Sequence, residues 1–434
     1  MGDRGRRSRP PRARMSGALA PLRLPGFRQL AGAYTINELG NWVGEIALAI
    51  LVFDQTGSPL ATAALFVAMQ FLPALTGPPL VARVESVGPR RSLTSLYAAE
   101  AAVFACLGLL ADDFVLAAVV VLAAIDGSLA SAARSLTRAA AGEMLARRGM
   151  LREGNALLNM GFTASAAAGP AIAGLVVAGA GAQAALFTDA ASFLVVALVL
   201  ATARGLPRIE FETSSWVERL RDGFRYVRGR LVLRRLLYAQ GAVFAFFALV
   251  LPIEVVFVKE TLDAGDSGYG ALLASWGSGM VAGSLLFAAV RRLSLRTLLI
   301  ASTLAVGLAY LGTAAAPTLL VACVASVIGG AGNGVQWVAL ISAVQELTSS
   351  AYQARVIAML ESLASAMPGL GFVVGGTVAA LLSPRASYAV AGIGVLLVLV
   401  VCAVALRRAG WTGERPLEGV LPDADLAPVP PEPV

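Results

Sequence analysis

The stretch Leu80–Arg91, LVARVESVGPRR, separates two long apolar runs near the start of the chain. These runs, residues 59–82 and 92–111, each reach roughly the 20 mostly apolar residues that a helix needs to cross about 30 Å of hydrocarbon. The basic residues between them are all arginines. Because short loops rich in Lys or Arg stay on the cytoplasmic side, the stretch predicts a cytoplasmic loop between two membrane-spanning helices.

The other basic residues repeat this pattern along the chain. Only one of the 34 basic residues is a lysine, and beyond residues 1–28 the arginines fall mostly after every second apolar run. The connections in between hold only Lys259 and Arg385. This alternation predicts twelve spans with both termini in the cytoplasm. The predicted spans cover residues 29–53, 59–82, 92–111, 114–138, 155–178, 183–203, 236–258, 269–290, 296–313, 317–344, 356–382 and 386–406.

The composition supports an all-α integral membrane protein. Hydrophobic residues make up 57% of the chain and charged residues only 14%, which excludes a soluble domain of this length. Backbone polar groups must be paired inside lipid, so apolar runs of this length must be helical. The net charge of +7 comes mostly from the loop arginines, and we therefore predict no nucleic-acid binding.

The two ends of the chain differ from its interior. Residues 1–28 begin with a basic segment that predicts a disordered cytoplasmic arm, and Met15 is a second candidate for the start of the protein. Residues 407–434 are rich in proline and acidic residues, which predicts a disordered cytoplasmic tail. The first apolar run is too long for a signal peptide.

The missing residue types narrow the chemistry. The chain has no histidine, and its three cysteines lie in apolar runs without paired spacing. We therefore predict no disulfide, no metal site and no cofactor, and we do not expect an enzyme. There is also no G-x-x-x-x-G-K-[ST] motif, which argues against ATP as the energy source. Any protonation switch would have to use carboxyl groups.

An internal repeat of about 202 residues organises the chain. Arg90 and Arg91 align with an Arg pair at 291–292, and Gly169 aligns with Gly371. The repeat predicts two six-helix bundles, residues 29–203 and 236–406, an arrangement that secondary transporters use. The linker, residues 204–235, has the pattern of an amphipathic helix on the cytoplasmic surface. A structural strap and a regulatory element are the two interpretations of that helix.

The loop LVARVESVGPRR resembles the signature between the second and third helices of the major facilitator superfamily. The residues at matching positions are Glu85, Gly88, Arg90 and Arg91. Glu85 replaces the usual Asp, Val81 the leading Gly, and Ser86 a basic residue. The resemblance implies a charge relay that holds one access state closed, although the missing base at Ser86 weakens it.

A second segment, AAAGPAIAGLV at Ala166–Val176, is similar to the Gly-Pro signature of the exporter branch of that superfamily. Gly169, Pro170 and Gly174 match it, and Ala173 replaces one expected glycine. Small residues let membrane helices approach closely, and proline lets a helix bend. Ordinary helix packing is the alternative explanation of this segment.

Further cues make residues 24–406 resemble a subgroup that includes bacterial siderophore and macrolide exporters. One of them is Arg355, before the eleventh predicted span. The resemblance implies a gating role for Arg355 and a location in the bacterial inner (plasma) membrane.

Polar residues within the first predicted span indicate a transport site. Asn37, Asn41 and Glu45 follow at four-residue steps and share one helical face, which Tyr34 begins. Charged groups at this depth usually line a cavity. We expect Glu45 to bind the coupling proton and the two asparagines to bind cargo. The alternative is that Glu45 is a structural partner of an arginine or of backbone amides.

Other polar residues lie at membrane depth. Asp126 in the fourth predicted span is the second candidate for proton coupling, and Arg134 is a candidate for attracting anionic cargo. Asn333 and Gln336 in the tenth span are expected to face the same cavity, although helix-packing hydrogen bonds explain them equally well. Two further acidic residues are weaker candidates, Glu38 and Glu100.

The sequence thus predicts a proton-coupled secondary transporter, expected to be a monomer, that exports amphiphilic small molecules such as drugs or natural products by alternating access. One alternative is a dedicated exporter of one metabolite, such as a siderophore or a lipid. The other is a membrane receptor or enzyme that does not transport.

Overall fold

The computed structural model describes residues 19–84, 88–203, 205–206, 221, 224–290 and 293–411. Throughout these ranges the regular elements are all helical. The α-helices are α1 (Pro25–Thr56), α2 (Pro59–Phe66), α3 (Leu72–Val84), α4 (Pro89–Leu109), α5 (Leu116–Ala146), α6 (Leu151–Ala201), α7 (Leu231–Ala248), α8 (Glu254–Val256), α9 (Asp266–Ala289), α10 (Leu295–Ala315), α11 (Leu319–Leu347), α12 (Ser350–Leu381) and α13 (Pro384–Arg408).

Local sequence signals set where many of these helices begin. Proline, which has no N–H to leave unpaired and a φ suited to a first turn, starts four of them, at Pro25, Pro59, Pro89 and Pro384. The side chains of Ser58 and Ser383 accept hydrogen bonds from backbone N–H groups of the first turns of α2 and α13. These caps satisfy donors that would otherwise be unpaired.

Ten helices of the described chain are long and apolar enough to cross a membrane, judged by length and composition. The longest continuous stretch, α6, covers both the fifth and the sixth predicted spans. It is interrupted at Gly181, whose φ of 84° and ψ of 163° are not helical, and glycine adopts this conformation without steric cost. The interruption falls in the connection expected between those two spans. The count of twelve spans and the cytoplasmic termini stay predictions.

Two predicted spans depart from regular α-helix. The second contains a π-helical segment, Val67–Phe71, between α2 and α3. The seventh is interrupted after α7 by a 3₁₀ turn, Leu251–Ile253, and then by a second π-helical segment, Phe257–Thr261. Pro252 lies in the 3₁₀ turn and cannot donate the hydrogen bond that would continue α7.

The chain divides into two compact units. The first unit comprises the described residues of Met1–Thr213 and Pro252–Ala274, and the second those of Ser214–Leu251 and Ser275–Val434. Within the first unit, α1 packs against α6, α4 against α5 and α6, and α3 against α5. Within the second, α10 packs against α11 and α13, and α7 against α12 and α13. Residues 252–274 fall inside the predicted 236–406 bundle but group with the first unit.

Glycines that the sequence repeat aligned have equivalent packing roles in the two units. A Cβ atom on Gly169 of α6 would lie 2.6 Å from the Cβ of Trp42 in α1. Its repeat partner Gly371 of α12 packs in the same way against the backbone carbonyl of Ala245 in α7. Gly169 therefore lets α6 approach α1 closely, and Gly371 lets α12 approach α7 closely.

The end of the predicted linker packs within the second unit. Residues 224–228 are helical, and Val227 is buried in a core cluster with Leu233 and Val356. The ring of Tyr226 stacks on that of Tyr352, with centroids 4.2 Å apart. These contacts fit the strap interpretation, whereas residues 207–220, with most of the proposed amphipathic helix, lie outside the described residues.

Lys259 forms two ion pairs in the first unit. It lies in the π-helical segment Phe257–Thr261, and its Nζ is 2.5 Å from Oδ1 of Asp54 at the end of α1 and 2.6 Å from Oδ1 of Asp266 at the start of α9. The side chain of Lys259 is only 17% exposed, although that of Asp54 is 48% exposed. The ion pairs therefore connect three segments of the first unit at one point.

Substitution of Lys259 by methionine should destabilise the protein by about 1 kcal/mol, since both ion pairs are lost and solvent screens only part of their energy. Thermal unfolding in detergent at low and high salt measures this, and the difference from wild type should shrink as salt rises. Arg147→Gln is the matched control, because it removes an exposed pair with Glu143 within one helix, worth about 0.2–0.5 kcal/mol. Equal effects of the two substitutions would contradict this prediction.

Candidate functional site

The polar face predicted for the first span lies along α1 in the first unit. Tyr34 and Asn37 are buried, and Asn41 and Glu45 are half-buried. Asn37 is 0% exposed, and neither its amide nitrogen nor its amide oxygen has a hydrogen-bond partner in the described structure. A buried, unpaired amide is costly, so this position is suited to a polar partner that the protein binds.

Glu45 has a partner that the sequence did not reveal. The side-chain nitrogen of Gln70 donates a hydrogen bond of 2.8 Å to Oε1 of Glu45. Gln70 lies in the π-helical segment Val67–Phe71, and such segments inside α-helices occur frequently at functional sites. The extra residue of a π turn changes which way the following side chains point, and no local sequence pattern announced it.

Helix α5 supplies the second acid and two arginines. Asp126 is 5% exposed, whereas Arg134 and Arg138 are exposed. Arg134 lies close enough to Asp126 and Glu45 to interact electrostatically with both. Arg138 donates a hydrogen bond of 3.3 Å to the hydroxyl of Tyr34, which connects α5 to α1. The structure therefore brings together the candidates that the sequence named separately in these two helices.

Further acidic side chains join this group. Six acidic residues form a group that we call the acidic cluster, because each of them interacts electrostatically with at least one of the others. The acidic cluster consists of Glu38, Glu45, Glu100, Asp126, Asp189 and Glu254. The sequence analysis ranked Glu38 and Glu100 as weak candidates and missed Asp189 and Glu254. Nothing in the sequence signals that α4, α6 and α8 bring acids to α1 and α5.

The acidic cluster does not have the geometry of a metal centre. Among the described residues, no group of three or more His, Cys, Asp or Glu side chains is arranged to hold a metal ion. Several carboxyl oxygens are instead buried without a hydrogen-bond partner, including Oδ1 of Asp126 and both oxygens of Glu100. What this arrangement can do chemically is bind and release protons, with the positive charge of Arg134 nearby.

The candidates in the second unit have a different environment. Gln336 is 3% exposed and donates a hydrogen bond of 2.7 Å to the hydroxyl of Thr303, whereas Asn333 is half-buried. Gln336 and Thr303 line a cavity of about 50 Å³ that Gln240 and Arg296 also border. The hydrogen bond of Gln336 favours the helix-packing interpretation of this residue.

The residues of the predicted gate are described in part. Gly88 has a φ of 98°, in the region that favours glycine, and the side chains of Arg90 and Arg91 are exposed at the start of α4. Glu85 lies outside the described residues, and so does the side chain of Arg355. The charge relay implied by the sequence signature therefore stays a prediction.

The Gly-Pro segment forms a close helix contact in the first unit. Pro170 lies within α6, and a Cβ atom on Gly174 of the same helix would be 2.9 Å from Cα of Gly270 in α9. A Cβ on Gly270 would be 2.5 Å from the carbonyl oxygen of Pro170. The two backbones touch here, which only glycine allows at both positions.

Solved structures of transporters share this fold. The nucleoside transporter NupG superposes with a TM-score of 0.70 at 14% identity, covering 88% of this chain and 99% of that chain. A bacterial homolog of the human lysosomal transporter Spinster, in an inward-facing and occupied conformation, superposes with a TM-score of 0.68 at 14% identity. The match covers 90% of this chain and 97% of that chain. A POT family transporter in complex with a thioalcohol-conjugated peptide superposes with a TM-score of 0.70 at 11% identity. The match covers 88% of this chain and 96% of that chain.

At the sequence level, a comparison with curated proteins found no match. The family profile described as "transmembrane secretion effector" matches residues 16–416, which is nearly the whole chain. The helical architecture, the membrane-spanning apolar helices and the shared transporter fold agree with that match. The protein is therefore a multi-pass membrane transporter of the major facilitator type, and it belongs to the transmembrane secretion effector family.

Proposed function

We propose that the protein is a proton-coupled exporter of amphiphilic small molecules that works by alternating access. The observation that carries this proposal is the acidic cluster, which concentrates buried carboxyl groups around α1 and α5 of a membrane transporter. Buried ionisable groups within membrane helices typically mark ion pathways and proton relays. Membership of a family of secretion effectors supports the outward direction.

The proposed cycle assigns roles to the residues of the site. Glu45 and Asp126 bind the coupling proton, while Asn37 and Asn41 bind polar groups of the cargo. Arg134 is exposed and lies near both acids, so its positive charge can attract an anionic group of the cargo. A proton gradient drives the cycle only if the inward- and outward-open states differ in proton affinity.

The membrane arrangement of the proposal follows the loop arginines. We infer twelve spans in two six-helix bundles with both termini in the cytoplasm, in the inner membrane of a bacterium, and a monomeric transporter. The long helix α6, interrupted at Gly181, accounts for two of these spans. The gating roles proposed for Glu85, Gly88, Arg90, Arg91 and Arg355 belong to the same scheme.

Substitution of Glu45 by glutamine should abolish proton-driven efflux, because glutamine keeps the shape and the hydrogen bond with Gln70 but cannot exchange a proton. The measurement is efflux of fluorescent dyes and antibiotics from bacteria that lack their own pumps, with and without an uncoupler. Efflux by the wild type should be sensitive to the uncoupler. The efflux rate of the variant should be at least roughly tenfold lower, because removing a proton-transfer group causes a loss of this size.

Glu143→Gln is the matched control, since Glu143 is a half-buried residue of α5 outside the acidic cluster and pairs with the exposed Arg147. It should transport like the wild type at equal expression. Efflux that survives Glu45→Gln would exclude Glu45 and leave Asp126 as the coupling residue. A well-expressed wild type that exports no compound of the panel would favour the dedicated exporter, whose cargo is one metabolite of the host.

A further inference from the structure

Two members of the acidic cluster are more deeply buried than Glu45. Glu100 of α4 is 0% exposed and Asp189 of α6 is 1% exposed. Neither oxygen of the Glu100 carboxyl group has a hydrogen-bond partner in the described structure, and Oδ2 of Asp189 has none either. The proposed function does not use these two residues.

Aromatic packing between α4 and α6 holds these two acids near each other. Phe193, one turn after Asp189, packs against Phe104 with ring centroids 5.3 Å apart and against Tyr97 with centroids 6.5 Å apart. Tyr97 and Phe104 lie about one turn to either side of Glu100 on α4. The two carboxyl groups interact electrostatically with each other as a consequence.

The carboxyl group of Asp189 fits into a space left by two glycines of α1. A Cβ atom on Gly40 would collide with Oδ1 of Asp189, and one on Gly44 would collide with Oδ2. Oδ1 also accepts a hydrogen bond of 2.9 Å from the hydroxyl of Ser192. Helix α1 therefore leaves room for an acid at this position, on the segment that also carries Glu45.

Two buried carboxylates of like charge beside each other strongly disfavour being ionised at the same time without a compensating cation. The charged and titratable groups that interact with the pair are Glu38 of α1, Tyr97 of α4, and Asp126 and Arg134 of α5. Arg134 is the only basic residue among these, and its charge is shared with Glu38, Glu45 and Asp126. A bound proton is the simplest compensation for the pair.

We propose that Glu100 and Asp189 form a second protonation site, which holds one proton on one of the two carboxyl groups and exchanges it with Asp126. In the exchange, the O–H bond at Asp126 breaks and a new O–H bond forms at the pair, so the negative charge moves to Asp126. The proposal rests on the proposed proton coupling and adds an inner site behind Glu45 and Asp126. Glu100 and Asp189 touch no cargo and act by storing the proton.

Infrared spectroscopy of the purified full-length protein in lipid nanodiscs tests the inner site without any cargo. The carbonyl stretch of protonated, buried carboxyl groups is recorded over a pH series for wild type, Glu100→Gln, Asp189→Asn and the double variant. The wild type should show a signal that falls as pH rises, and the double variant should lack the part of this signal that comes from the pair while it keeps the part from Glu45 and Asp126. Asp113→Asn, which changes an exposed loop acid, should match the wild type.

Transport assays supply the second measurement. Both single variants should lose roughly tenfold or more of the proton-driven efflux rate while cargo exchange without a proton gradient stays within about twofold of wild type. Thermal unfolding checks that each isosteric variant is folded, and Glu100→Gln is the decisive variant if Asp189→Asn unfolds.

The outcomes separate the two levels of the proposal. A titrating signal of the same size in the double variant and in the wild type would overturn the inner site. A component that the double variant lacks but that does not change with pH would overturn it too, because a permanently protonated pair is only structural. Coupled efflux that both variants retain would overturn the inner site alone. Uncoupler-insensitive efflux by the wild type would overturn the proposed coupling and this inference with it.

Discussion

Replacement of Gly270 by leucine should reduce transport by at least roughly tenfold. A Cβ atom at this position would lie 2.5 Å from the carbonyl oxygen of Pro170 and 2.9 Å from Cα of Gly174. Both neighbours are backbone atoms of α6, so they cannot move aside as a side chain would, and α6 and α9 must separate. Overpacking of this kind costs about 1–3 kcal/mol. We expect this cost to fall on the conformation in which the two helices touch, and about 1.4 kcal/mol corresponds to a tenfold change in the population of one conformation.

The measurement is the initial efflux rate, normalised to the protein present in the membrane, together with the thermal unfolding temperature in detergent. Gly179→Leu is the matched control, in the partner helix α6, because a Cβ atom there has no neighbour within 4 Å. The control should behave like the wild type. If Gly270→Leu were as active and as stable as Gly179→Leu, the close approach of α6 and α9 would have no role in transport.

Removal of the charge of Arg134 is the second change with a large expected effect. Arg134 interacts electrostatically with Glu38, Glu45 and Asp126, so proton binding at these three acids depends on its positive charge. Arg134→Gln should reduce proton-driven efflux by roughly tenfold or more, whereas Arg134→Lys should keep part of it because the charge remains. Arg134 is exposed, and its loss should therefore change transport more than stability.

Efflux along a proton gradient and along a cargo gradient, measured for both variants and for Arg147→Gln, checks this prediction. Arg147→Gln is the control, because Arg147 directly follows the end of α5 and forms an ion pair with Glu143. A loss of efflux for Arg134→Gln that Arg134→Lys fully restores would show that charge alone is needed. Full activity of Arg134→Gln would exclude Arg134 from both coupling and cargo binding.

The sequence was sufficient for the features that depend on local chemistry. Apolar runs of sufficient length must form helices in lipid, so the helical membrane fold followed from hydropathy alone. The break at Gly181 and the equivalent packing of Gly169 and Gly371 also agree with patterns visible in the sequence. The same reasoning identified the face of α1 that carries Asn37 and Glu45, because helical periodicity places residues four apart together.

The tertiary structure alone decided which side chains meet. Gln70 reaches Glu45 from a π-helical segment of the second predicted span, and the packing of α4 on α6 brings Glu100 and Asp189 into electrostatic interaction. Gly270 touches α6 although nearly a hundred residues separate them in the chain. Hydropathy specifies that a segment is buried but not how far it is rotated about its axis, and that rotation depends on close packing between helices distant in sequence.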